Sequence, residues 1–256
     1  MPKQILQTIT DERPVPSGIR RSLTFRLGDD GSPIPAVLQL PASRVRAPGV
    51  LLLHGWSSRK ETMADALGAA LLAQGIASLA IDLPLHGERS DANVLRGQID
   101  PLQMVREWRA ALADGERAMR FLGAHPALDA RRLAVGGYSL GSYLALASRD
   151  QAVRALILAA GGDLPRDSQF SRLLRPFADP LAAVRRLAGR PLLMVHGRHD
   201  RTIRPEQAER LFAAAGEPKE IQWWDAGHYL PQEAVAGAAT WLEGKLESLT
   251  TTMSGS

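Results

Sequence analysis

Ser139 stands between two glycines in "GGYSLGS" (136–142), and the chemistry a serine does in such a place is nucleophilic attack. A serine hydroxyl is a poor nucleophile at neutral pH. It needs a base to take its proton, and the base needs a third group that holds its tautomer and stabilises its charged form. The pattern G-x-S-x-G is weak alone, since a serine in an ordinary tight turn satisfies it. Here an apolar run, "RLAVGG", precedes it and a helical stretch, "SYLALAS", follows. That context predicts a sharp strand-to-helix turn, in which Gly137 and Gly141 allow close backbone approach and the helix N-terminus faces the site.

Six histidines compete for the role of base. His125 precedes Pro126 at a predicted helix end, away from the other polar residues. His54 and His196 each precede a glycine at a strand end, where a ring hydrogen bond shaping the turn is expected. His86, in "DLPLHGER", is expected to be structural or to face the substrate. His199 adjoins Asp200 and points away if Asp200 points in. His228 follows the last strand in "DAGHYLP", where the chain order Ser…Asp…His places the base. Two acids lie between Ser139 and His228. Asp200, in "HGRHDRTIRP", has the sharper context of a strand end, a glycine loop and a helix start at Pro205. Asp163, in "AAGGDLP", is the other candidate, with a plain role as a turn or cap residue. A tetrahedral intermediate also needs oxyanion donors. The N–H groups of Leu140, after the serine, and Trp56, after the "LLLHG" strand, are expected to supply them.

The elements that must position these residues alternate between strand and helix. "RSLTFRL" (21–27) and "IPAVLQLP" (34–41) read as an antiparallel hairpin after a polar N-terminal arm. "GVLLLHG" (49–55) is a continuous apolar run, as expected of a strand buried on both faces. Further strands are read at 76–83, 131–138, 153–162, 190–200 and 219–228. Helices are read at 61–75, 100–125, 139–150, 205–216 and 231–249. This alternation predicts an α/β fold, a mainly parallel sheet covered by helices on both faces. In such sheets ligands bind beyond the carboxyl ends of the strands. His54, Asp82, Ser139, Asp163, Asp200 and His228 all stand there.

Composition narrows the remaining choices. The chain has 256 residues, 45% hydrophobic and 23% charged, within the range of one α/β domain. It has no cysteine, which excludes disulfides, thiolate metal sites and a cysteine nucleophile. The net charge is +4, but the basic residues occur only as scattered pairs such as Arg20-Arg21 and Arg185-Arg186. Nucleic-acid binding therefore lacks its footprint. There is no close histidine pair with zinc spacing, no calcium-loop spacing and no phosphate-binding glycine loop, so neither a metal nor a cofactor is expected. No secretory leader or membrane-spanning segment is visible, so a cytoplasmic location without membrane association is expected. Nothing in the sequence sets an oligomeric state.

Taken together, "LLLHGW" (51–56), "DLPLHGER" (82–89), "GGYSLGS", "HGRHD" (196–200) and "AGH" (226–228) resemble the α/β-hydrolase superfamily over residues 20–249. Within it the chain resembles compact dienelactone-hydrolase-like and prolyl-oligopeptidase-like esterases. It departs from dienelactone hydrolases proper, whose nucleophile is cysteine, and that favours carboxylic esters. The resemblance implies an eight-stranded sheet whose second strand is antiparallel, in a single domain spanning 1–256. It also implies a minimal cap at about 163–189 and a frayed tail at 250–256. His86, Leu164, Phe170, Phe177 and Tyr229 are then expected around the pocket, with Leu173 and Leu174 as further cap candidates. The expected activity is hydrolysis of short to medium acyl esters of small molecules through Ser139, His228 and Asp200. The alternatives are amide hydrolysis, acyl transfer, or ligand binding by a non-hydrolytic protein that keeps the triad.

Overall fold

A computed structural model describes residues 5–28, 32–43, 45–90, 101–148, 150–166, 171–172, 175–176 and 178–253. Nine strands of these residues form one sheet: β1 (Ile5–Val15), β2 (Gly18–Leu27), β3 (Ile34–Pro41), β4 (Ala47–Leu53), β5 (Ala77–Ile81), β6 (Leu128–Tyr138), β7 (Val153–Ala159), β8 (Leu192–Gly197) and β9 (Lys219–Trp224). Their order is β1-β2-β3-β5-β4-β6-β7-β8-β9. The pairs from β5 through β9 are parallel, while β1, β2 and β3 join antiparallel.

The eight expected strands are β2 to β9, with β3 the antiparallel second. The N-terminal arm differs from expectation: it is β1, a ninth strand at the sheet edge. Its residues are largely exposed, and it carries Asp11, Glu12, Arg13 and Pro14. Backbone hydrogen bonds to β2 hold it. Charges and proline on an edge strand block further strand addition, and the same residues hide the strand from hydrophobic patterning.

The helices are α1 (Lys60–Met63), α2 (Ala69–Ala73), α3 (Pro101–Ala124), α4 (Leu140–Ala147), α5 (Pro180–Arg185), α6 (Pro205–Ala214) and α7 (Gln232–Met253). The last continues through Met253, beyond the expected end at 249. Side chains alternate across the sheet, and the two faces bury separate apolar layers. Leu51 and Leu53 of β4 pack with Met119 and Phe121 of α3, Leu144 of α4 and Leu211 of α6. Val50 and Leu52 face the other way, with Leu71 of α2 and Ala238 and Leu242 of α7.

Between α1 and α2 the chain makes a π turn, Ala64–Gly68, where a plain helix is expected from the spacing. A π turn leaves carbonyls without their usual partners, and such turns recur at functional sites. The buried side chain of Gln39 on β3 meets this need. With its amide nitrogen facing the turn, as the surrounding acceptors require, it donates to Ala64 O and Ser78 Oγ at 3.1 Å, with Gly68 O at 3.3 Å. Asp65 of the same turn pairs with Arg20 of β2. Gln39→Leu is expected to destabilise the protein by about 1–3 kcal/mol, because buried carbonyls lose their donor. Urea unfolding checks this; an unchanged midpoint would show that the latch contributes nothing.

Candidate active site

β6 ends at Tyr138 and α4 begins at Leu140, so Ser139 is the hinge between strand and helix. Its backbone sits at φ 51°, ψ −111°, a conformation that strains a residue with a side chain. The two glycines are required by contact. A Cβ on Gly137 would fall 2.2 Å from Gly141 O, and one on Gly141 would fall 2.0 Å from Leu53 O. Ser142, buried one turn into α4, braces the bend with its hydroxyl against Gly137 O at 2.8 Å and Ala159 O at 2.9 Å.

The turn aims Ser139 at His228. Ser139 Oγ lies 3.1 Å from His228 Nε2, and His228 Nδ1 lies 2.7 Å from Asp200 Oδ2. Asp200 is buried, and its other oxygen accepts from the N–H groups of Thr202 (2.8 Å) and Ile203 (3.0 Å). These bonds fix the carboxylate and leave Oδ2 for the imidazole. The loops carrying Asp200 and His228 are held against each other. His199 N donates to Ala226 O at 2.9 Å, and a Cβ on Gly197 would meet Gly227 O at 2.1 Å. Tyr138 was not singled out in the sequence, yet its hydroxyl donates to His228 O. Burial, and then the nearby Asp200 charge, raise its pKa, so the phenol stays a donor.

Residues 50–190, more than half of the chain, match the alpha/beta hydrolase family. The chain belongs to that family. Among curated proteins it is similar to a polyketide transferase of Stachybotrys chlorohalonatus, 30% identical over 156 residues, which cover 59% of this chain and 48% of that protein. It thus spans about half the length of that relative. It is also similar to the esterase YjfP of Escherichia coli, 26% identical over 233 residues, 78% of this chain and 89% of the other. Among solved structures, a cold-adapted esterase from an Arctic intertidal metagenomic library superposes with a TM-score of 0.70 at 23% identity, covering 92% of this chain and 97% of that one. An acetyl xylan esterase from Paenibacillus sp. R4 gives 0.73 at 19% identity, covering 95% and 89%. These structural likenesses establish the fold. No helix among the described residues is long and apolar enough to cross a membrane.

The other acid candidate of this alpha/beta hydrolase, Asp163, is not at the imidazole. Its oxygens accept from Leu164 N (2.8 Å), Arg175 (3.1 Å) and Arg210 (3.1 Å), so it is a buried anchor for the segment after β7. Asp82 is likewise an anchor. It accepts from Lys60 N and Nζ and from Glu88 N, tying the "DLPLHGER" loop to α1. Burial works against the Lys60 ammonium, but bonds to Glu61, Glu88 and Asp82 outweigh it and hold its pKa above the usual lysine value. His199 points outward to Asp225, 2.7 Å away.

A cavity of about 720 Å³ opens beside Ser139 and His228, and His86 and Tyr229 are among the residues that line it. Tyr229 is 85% exposed and Trp56 53%, so both stand at the mouth. Leu164 lines an adjoining apolar space of about 140 Å³ on the α3 and α4 side, together with Trp108 and Tyr143, and this space shares Trp56, Leu85 and His86 with the Ser139 cavity. Phe170 and Phe177, with Leu173 and Leu174, lie outside the described residues.

His54 carries a separate prediction. Its Nδ1 lies 2.8 Å from Gly55 O and its Nε2 accepts from Leu83 N at 3.1 Å, so the neutral ring joins the two loops behind Trp56. Burial lowers its pKa from 6.5 to about 4. The unfolded chain therefore binds the proton first as pH falls. The ring's contribution is complete above pH 6.5 and is lost as pH falls toward about 4, amounting to about 3 kcal/mol in all. Urea unfolding at stepped pH should show this loss in the parent and a flatter profile in His54→Gln; identical profiles would remove His54 as the cause.

Proposed function

We propose that this chain hydrolyses carboxylic esters of short to medium acyl length, with Ser139 as nucleophile, His228 as base and acid, and Asp200 as the orienting carboxylate. The observation that carries the reading is the unbroken run from Asp200 through His228 to a serine held in a strained strand-to-helix turn. Ser139 Oγ attacks the ester carbonyl carbon as its proton passes to His228 Nε2. The imidazolium is stabilised by Asp200, which keeps Nδ1 protonated. Collapse of the tetrahedral intermediate breaks the bond to the alcohol oxygen, which takes the proton back from His228. Water, deprotonated by His228, then attacks the acyl carbon; the bond to Ser139 Oγ breaks, Oγ takes the proton back from His228, and the carboxylic acid is released.

The oxyanion falls to the N–H groups of Leu140 and Trp56. Leu140 is the first residue of α4, so its N–H has no acceptor within the helix. Gly55 packs against the serine, since a Cβ there would lie 3.3 Å from Ser139 Cβ, and this supports the adjoining Trp56 N–H as a donor. Each such donor contributes about 3–4 kcal/mol of transition-state stabilisation. The esterase relative supports the ester reading.

The polyketide transferase relative favours acyl transfer as a second reading. Product analysis separates the two. The purified protein is given p-nitrophenyl acetate and butyrate in water, then with an added primary alcohol. Hydrolysis predicts turnover to free acid in water alone. Turnover that depends on the alcohol, with transesterified product, would replace hydrolysis by transfer, and no turnover in either case would overturn both.

A further inference from the structure

The sheet gives a bound ester two directions, and they are built differently. On the α3 and α4 face, the space beside Leu140 and Trp56 is small, about 140 Å³, and is lined by Trp108 and Tyr143. On the opposite face, the cavity that holds Ser139 continues between the π turn and α7. Its floor is Ile157 of β7 and Val195 of β8, both in the apolar layer under α7. One wall is Met63, Ala66 and Leu67; the other is Ala234, Val235 and Ala238.

Two features keep this slot wide. Ala234 and Ala238, four residues apart, share one stripe of α7 and leave a groove about 6 Å long where larger side chains would meet the sheet. The facing wall is the π turn, held in that form by Gln39 and Arg20. The slot opens at exposed Ala66 and closes on buried Val195 and Ala238.

We propose that this slot takes the acyl chain of a medium-chain ester, such as an octanoyl group, and that Val235 and Ala238 set the chain-length preference. The inference rests on Ser139 as the nucleophile. In acyl-enzyme chemistry the alcohol leaves first and must reach solvent, whereas the acyl half stays tethered. The exposed mouth at Trp56 and Tyr229 suits the departing alcohol. An apolar slot that deepens to buried Val195 and Ala238 suits the half that remains.

The test compares kcat/KM for p-nitrophenyl octanoate and acetate in the parent, Val235→Phe and Ala238→Phe. The parent is expected to favour octanoate. Each filled variant is expected to lower the octanoate-to-acetate ratio by about 30-fold or more, given the value of burying several methylenes. Val235 is half-buried at the outer part of the slot, so its variant serves if Ala238→Phe does not fold. Octanoate binding to Ser139→Ala, followed by calorimetry, reads the slot without turnover, and adding Val235→Phe is expected to abolish it. An unchanged ratio in folded variants overturns the slot and leaves Ser139 standing. Binding lost with Val235→Phe in a protein that cleaves no ester keeps the slot and overturns the ester reading.

Discussion

Ser139→Ala is expected to lower kcat on p-nitrophenyl esters by about 10⁴- to 10⁶-fold, leaving only what binding and the oxyanion donors supply. The loss belongs in kcat, because the ester still has its cavity. Alanine keeps the same strain at φ 51°, so the unfolding midpoint should stay close to that of the parent. Ser139→Gly separates the chemistry from the strain. It is equally inactive, but glycine adopts this backbone freely, so it should be more stable by about 1–3 kcal/mol. Steady-state kinetics and urea unfolding of the two variants check both halves. Activity within tenfold of the parent in either variant would remove Ser139 as nucleophile.

Asp200→Asn is expected to lower kcat by about 10⁴-fold with little change in KM. The carboxylate accepts a hydrogen bond from His228 Nδ1–H and so would present Nε2 to Ser139. An asparagine amide turned toward the ring donates instead, which favours the wrong tautomer and withdraws the charge that stabilises the imidazolium. Asp163→Asn is the informative partner. Asp163 is buried and strand-terminal like Asp200, but its oxygens are taken by Arg175 and Arg210. Its loss should lower the unfolding midpoint and spare most of kcat. The opposite pattern would exchange the roles of the two acids.

Ser139, Asp200 and His228 are legible as a candidate set because each stands at the end of an apolar strand, in an order that one topology satisfies. Asp163 met the same test of position. Only the arginines reaching it from residues 175 and 210 separate it from Asp200, and contacts over that distance leave no local pattern. β1 was missed because its pairing is made by backbone groups, which every sequence has, while its side chains are exposed and charged. The π turn was read as plain helix because its apolar spacing fits one; Gln39, on a strand before it, decides otherwise. Sequence order shows that Leu164 follows a strand end but not that its side chain lines the space on the α3 and α4 side. Tyr229 is easier, since it adjoins His228, and His86 lies in the loop that follows Asp82 at that edge.

The most direct measurement of the central claim is covalent. The parent is incubated with a fluorophosphonate and digested, and the adduct is mapped by mass spectrometry. The account predicts one adduct per chain, on Ser139, and none in Ser139→Ala. An unlabelled parent, or the same label on another residue in both proteins, would contradict it.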